Sequence, residues 1–240
     1  MQYEQVHSFL IQKLENGLPS YLTYHNVGHT KNVVEAAEHL AIAEKVSGED
    51  LVLLKTAALF HDTGYMQIYK GHEEVSCSLA KKYLPDFGYT PEQTATVCRL
   101  ILATKWPVKP GDHLEMILCD ADMYYLGTEH YAFYAEKLHQ ELKHNGTVKT
   151  KAEWLLQQLE FLTAHKFYTH TARTDREEQK QKELEHIRVE LESSFSAARA
   201  IKPAELFQDI LQMVFGVLFA GYALKGFLVP NHFFDGGITG

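Results

Sequence analysis

Between Glu49 and Asp62 the chain reads E-D-L-V-L-L-K-T-A-A-L-F-H-D. At helical period this leaves almost no polar face, and a helix that is apolar on every side belongs inside a core. It must be surrounded, and the rest of the sequence supplies the partners. Val6, Phe9, Leu10 and Leu14 mark a first helix, stopped by Asn16-Gly17 and Pro19. A second runs from about His29 to Val46 with Val33, Val34, Ala37, Leu40 and Ala41 on one face, ended by Ser47-Gly48. Further helices are predicted at about 72–84, 91–104, 113–125, 129–143 and 149–163, punctuated by Pro85, Gly88, Pro107, Pro110-Gly111, Gly127 and Asn145-Gly146. There is no convincing alternating strand and no internal repeat, so the expected fold class is all-α.

The chain has 240 residues, enough for one sizeable core or for a domain of about 200 residues with an appendage. The sequence divides accordingly, into residues 1–200 and 201–240. Residues 172–194 are dense in charge and glutamine, with Leu184, Ile187 and Leu191 as a thin apolar stripe, which predicts a solvated helix with one contact seam. Residues 210–229 are I-L-Q-M-V-F-G-V-L-F-A-G-Y-A-L-K-G-F-L-V, with Lys225 as their one charge. This hydrophobic C-terminal segment has the length of a membrane span, and its glycines suit packing against other spans. A buried or partner-binding helix is the other reading.

A formal net charge of -8 argues against binding a nucleic-acid polymer, since no surplus of Lys and Arg is available to displace counterions. It leaves room for a small phosphorylated substrate, because a bound metal brings its own positive charge. Cys77, Cys98 and Cys119 form no C-x-x-C pair and no signal peptide opens the chain. Reduced thiols acting as small buried hydrophobes, in a cytoplasmic domain anchored to a membrane through the tail, are the expectation. The sequence names no oligomeric state.

Three clusters could carry chemistry. Tyr24-His25-Asn26-Val27-Gly28-His29 places two histidines four apart where a helical pattern begins. His61-Asp62-Thr63-Gly64 closes the most apolar helix, where an ionised Asp62 is costly without a partner. Asp120-Ala121-Asp122 follows the apolar run Met116-Ile117-Leu118-Cys119. Imidazole nitrogens with carboxylates form a borderline-hard donor set suited to Mn, Fe, Ni or Zn, and less typically Mg.

The order His29 … His61-Asp62 … Asp122 resembles the signature of the HD-domain phosphohydrolase superfamily. Ala57-Ala58-Leu59-Phe60-His61-Asp62-Thr63-Gly64-Tyr65, Gly71-His72-Glu73-Glu74 and Ile117-Leu118-Cys119-Asp120-Ala121-Asp122 match as well, so that the resemblance covers roughly residues 3 to 195. It implies a helical bundle with a metal between helices, held by His29, His61, Asp62 and Asp122, and hydrolysis of a phosphomonoester or phosphodiester, of a nucleotide, by metal-activated water, with Asp62 serving both the metal and the reaction. Tyr24-His25-Asn26-x-x-His29 also resembles the motif of cyclic-nucleotide phosphodiesterases, which implies that His25 protonates the leaving oxygen; the other reading makes His25 a hydrogen bonder that orients a ligand. Two-metal members add histidines on the following two helices. His72 could be the first, but Leu102-Ala103-Thr104-Lys105 stands where the second is expected. One metal site is therefore expected and a second is open; His72 and Lys105 are candidates for second-metal or substrate contact, with a plain surface role as the alternative.

Gly221-Tyr222-Ala223-Leu224 … Phe227-Leu228-Val229-Pro230 … Gly236-Gly237-Ile238-Thr239-Gly240 resembles the first span of bacterial YitT-type membrane proteins. Those have several spans and this chain stops after one, as a truncated fusion would. Two other functions fit less closely. A nucleotide- or metal-sensing regulatory module tethered to the membrane would bind without turnover. Oxidative chemistry at a di-iron centre would need more ligands than the sequence displays.

Overall fold

The computed structural model describes residues 1–201, with side chains to residue 195. The helices are α1 (Tyr3–Gly17), α2 (Val27–Ala43), α3 (Gly48–Phe60), α4 (His72–Tyr83), α5 (Pro91–Ala103), α6 (His113–Asp122), α7 (Tyr131–His144), α8 (Lys151–Ala164) and α9 (His170–Ile201). Short 3₁₀ turns at Thr63–Met66, Leu84–Phe87 and Tyr124–Gly127 link them, and the described residues contain no strand. The all-α expectation holds, with helix ends within a few residues of those read from the sequence.

Residues 1–188 form one compact unit, and the last described residues, from 189, fall outside it. α3 is the centre of that unit. Leu54, Ala57, Ala58, Leu59 and Phe60 are wholly buried, as a helix without a polar face must be. α2 and α5 pack along it, α6 lies against α2, and α4 against α5. Burying one large aliphatic or aromatic side chain stabilises by about 1.5–3 kcal/mol, so this layer of Leu, Ile and Phe side chains is the main source of cohesion. Leu184 and Ile187 of the charged α9 are buried, as its apolar stripe predicted. All three cysteines are free and buried.

Among the described residues no helix is long and apolar enough to cross a membrane. The segment 210–229 and the YitT-like residues lie outside the described residues.

Local sequence sets where each site element begins. Asn26 caps α2: its Oδ1 accepts from the N–H groups of Gly28 and His29, at 2.8 and 3.2 Å. This fixes His29 in the first turn. α3 stops at Phe60, so His61 and Asp62 fall on the turn that leaves the core. Buried Ser76 of α4 holds that turn, donating to the His61 carbonyl at 2.7 Å and accepting from Gly64 N–H at 2.8 Å. Gly64 has to be glycine: a Cβ there would stand 1.9 Å from the His72 carbonyl oxygen. The same close approach carries His72 in beside the His-Asp turn.

Candidate metal centre

Three elements converge: the start of α2, the end of α3 and the end of α6. One ligand atom each from His29, His61 and Asp122 lie within 4.8 Å of one another. The two histidine Nε2 atoms are 3.4 Å apart. Asp62 Oδ2 stands 3.1 Å from His61 Nε2 and 3.3 Å from His29 Nε2. Asp122 Oδ1 is 3.2 Å from His29 Nε2 and 3.5 Å from that of His61. His61 Nδ1 faces the Ala58 carbonyl at 2.8 Å, and a carbonyl can only accept. One proton is therefore on Nδ1, and Nε2 is the nitrogen turned toward the carboxylates, where it takes a second proton or gives its lone pair to a cation.

This arrangement fits a cation better than a hydrogen-bond network. Asp62 Oδ2 is buried and makes no well-formed hydrogen bond despite its two close imidazoles. Proximity without hydrogen-bond geometry is what donors sharing a cation show. Burial disfavours every charge here, yet mutual attraction outweighs it. The His61 charge and the neighbouring imidazoles hold Asp62 well below the usual carboxylate range, and the hydrogen bonds and charges of His29 and His61 lower Asp122. The Asp62 charge and contacts to both aspartates raise His61 well above an ordinary histidine; the same pair of aspartates raises His29. Buried Asp62 and half-buried Asp122 demand positive charge, and a divalent cation meets that demand.

His72 joins the edge of the centre. Its Nε2 is 3.4 Å from Asp62 Oδ1, while Nδ1 faces the Tyr69 carbonyl at 3.2 Å. Despite burial, contact with Asp62 raises its pKa. Lys105 is not part of the cluster. It is half-exposed and ion-paired with Glu74.

His25 sits beside the cluster, its ring centroid 5.7 Å from that of His29. Its Nδ1 meets Glu141 Oε1 at 2.5 Å. Glu141 is fully buried and also accepts from the backbone N–H groups of Tyr24 and His25, at 3.0 and 3.1 Å, and from the Tyr69 hydroxyl at 3.1 Å. Burial raises its pKa, but the His25 hydrogen bond and charge prevail and keep it low. Tyr65 is stacked between two imidazoles, 4.5 Å from His25 and 3.8 Å from His72 by centroid. Neither Glu141 nor Tyr65 was singled out from the sequence. A signal existed for Glu141: it is a carboxylate on the stripe of α7 that carries Tyr131, Ala135 and Leu138 inward.

A cavity of about 460 Å³ opens from Asp62, His25, His72 and Asp122. Its outer wall carries Trp106, Tyr131, Trp154, Gln157 and Phe161. The second aspartate of Asp120-Ala121-Asp122 reaches the centre; the first does not. Buried Asp120 accepts from the Tyr168 and Thr169 N–H groups, at 2.8 and 2.7 Å, and so ties α6 to the start of α9.

Comparison with known proteins follows the same lines. Residues 26–125 match the family model of the HD domain. The fold is similar to that of a predicted HD superfamily hydrolase from an uncultured Thermotogales bacterium, with a TM-score of 0.52 and 22% identity over 78% of this chain and 91% of that one. It is also similar to Bacillus subtilis YpgQ, solved in complex with ADP, with a TM-score of 0.57 and 21% identity over 80% of this chain and 94% of that one. No curated protein matches the chain.

Proposed function

We propose that this chain is a metal-dependent phosphohydrolase acting on a phosphomonoester or phosphodiester of a nucleotide, with His29, His61, Asp62 and Asp122 as metal ligands and His25 as general acid. One observation carries the reading: His29, His61 and Asp122 converge within 4.8 Å beside a buried Asp62 oxygen that makes no proper hydrogen bond, at the floor of an open cavity. A divalent cation at this point supplies an acidified water and positive charge for phosphoryl oxygens.

The chain's own residues do the remainder. Glu141 accepts the Nδ1 proton of His25 and stabilises the imidazolium, so that Nε2 has a proton to give to a leaving oxygen. Tyr65, stacked on both His25 and His72, fixes the planes of the two rings. His72, on the far carboxylate oxygen of Asp62, is placed to touch substrate or a second ion. The flat faces of Trp106, Trp154 and Phe161 in the outer cavity suit a stacked base. The similar fold of YpgQ, solved in complex with ADP, supports a nucleotide-type ligand.

The test is a phosphatase and phosphodiesterase screen of the purified chain with added Mn, Ni or Mg. Turnover is expected only with metal, and Asp62→Ala is expected to lose at least about 100-fold together with bound metal. An Asp62→Ala protein with full activity would sink the assignment.

A further inference from the structure

A second cavity, of about 360 Å³, also reaches the metal centre. It shares Tyr24, Asp122 and Tyr125 with the aromatic cavity and adds His29. Its lining mixes apolar Val33, Ala36 and Ala121 with the polar side chains of Asn32, His39, Glu35 and Arg176.

Arg176 is the unusual member. Its guanidinium lies over the Tyr124 ring, 3.9 Å from the centroid. Its Nε is buried and finds no acceptor. One oxygen of the neighbouring carboxylate is engaged elsewhere: Asp175 Oδ2 accepts from the Tyr124 hydroxyl at 2.5 Å and faces His39 Nε2 at 3.0 Å. Arginine cannot shed its proton to escape this position, and a buried donor without an acceptor is costly. The position is also tightly held. A Cβ on Gly127 would stand 2.3 Å from the Arg176 carbonyl oxygen, so α9 lies directly against the turn that follows Asp122. Arg176 lines a cavity that His29 and Asp122 also line, and its planar, permanently charged guanidinium matches the oxygens of a phosphoryl group.

We propose that this cavity is a phosphoryl subsite, in which Arg176 holds a second phosphoryl group of the substrate next to the one at the metal centre. The substrate class is then one bearing at least two linked phosphates. The choice of phosphate rests on the phosphohydrolase reading above; the anion site rests on Arg176.

Calorimetric titration of the full chain loaded with Mn²⁺ tests this. The probes are methylenediphosphonate, whose P–C–P link resists cleavage, and inorganic phosphate. The wild-type chain is expected to bind the diphosphonate at least about tenfold more tightly, the scale of one charge-assisted pair of hydrogen bonds. Arg176→Gln is expected to abolish that difference while Mn²⁺ binding persists. Arg176→Lys, which keeps charge and bulk but not the fork, is expected to retain part of it and decides the matter should Arg176→Gln fail to load Mn²⁺. Equal binding of the two probes by the wild-type chain, or an undiminished preference in the variants, overturns the subsite. A preference that depends on Arg176 in a chain that turns over no phosphoester would instead keep the subsite and overturn the phosphohydrolase reading.

Discussion

Glu141 is placed to orient the His25 ring without belonging to the metal cluster. Its carboxylate meets His25 Nδ1 at 2.5 Å and is anchored by two backbone N–H groups. Glu141→Gln keeps the shape and removes the charge. The expected result is a kcat lower by about 10- to 100-fold with unchanged metal content. A uniform loss with metal content falling in step would mean a purely structural role. At this scale legibility follows sequence distance. Local sequence placed the three clusters, at a helix start, at the end of an all-apolar helix and at the end of an apolar run, and the resemblance of their order to the HD signature singled out His29, His61, Asp62 and Asp122 within them. Glu141 lies 116 residues from His25, and only the fold brings the two together. Arg176 is the same case, one charge among many on α9 until Tyr124 and Gly127 place it.

Among the elements, the turn from α3 to α4 does the positioning. Ser76 and Gly64 hold His61, Asp62 and His72 in register, and the Gly64 site has no room for a methyl group. Gly64→Ala is therefore expected to cost about 1–3 kcal/mol of stability, as overpacking does, and to displace His72 from Asp62. Thermal unfolding measures the first effect; an unchanged Tm would show that α4 can shift freely. The sequence indicated the helix stop at Gly64 but gave a different reason for the glycine. Reading it as a helix terminator requires only local sequence, whereas the contact with His72 is tertiary. The two aspartates of Asp120-Ala121-Asp122 show the same limit. They look alike in sequence, yet residues two apart on a helix face different ways. One reaches the centre and the other holds the start of α9.

At the scale of the molecule, the all-α class was legible because the apolar period stays helical throughout, and α3 as the central helix because it has no polar face. The boundary expected near residue 200 rested on a change in composition. The residues beyond that boundary lie outside the described residues; the first compact unit runs to Arg188, within α9. The charge balance of the centre links the fold to the metal. His29 and His61 have raised pKa values in the folded, metal-free chain, from an ordinary 6.5. A raised histidine pKa contributes stability that is present below the unfolded value and lost as pH rises through the folded one. Asp62 and Asp122, held low, contribute stability that is lost as pH falls through their folded values. After chelation, Tm is thus expected to fall as pH climbs above 6.5, and added metal to remove that loss by replacing the protons. A chelated protein with no such decline would contradict the charge account. Fold and chemistry both meet at the cation, and anomalous diffraction from a Mn²⁺-loaded crystal locates it. A peak is expected about 2.0–2.3 Å from His29 Nε2, His61 Nε2 and carboxylate oxygens of Asp62 and Asp122. A well-occupied peak elsewhere, or none at saturating Mn²⁺, would contradict that expectation.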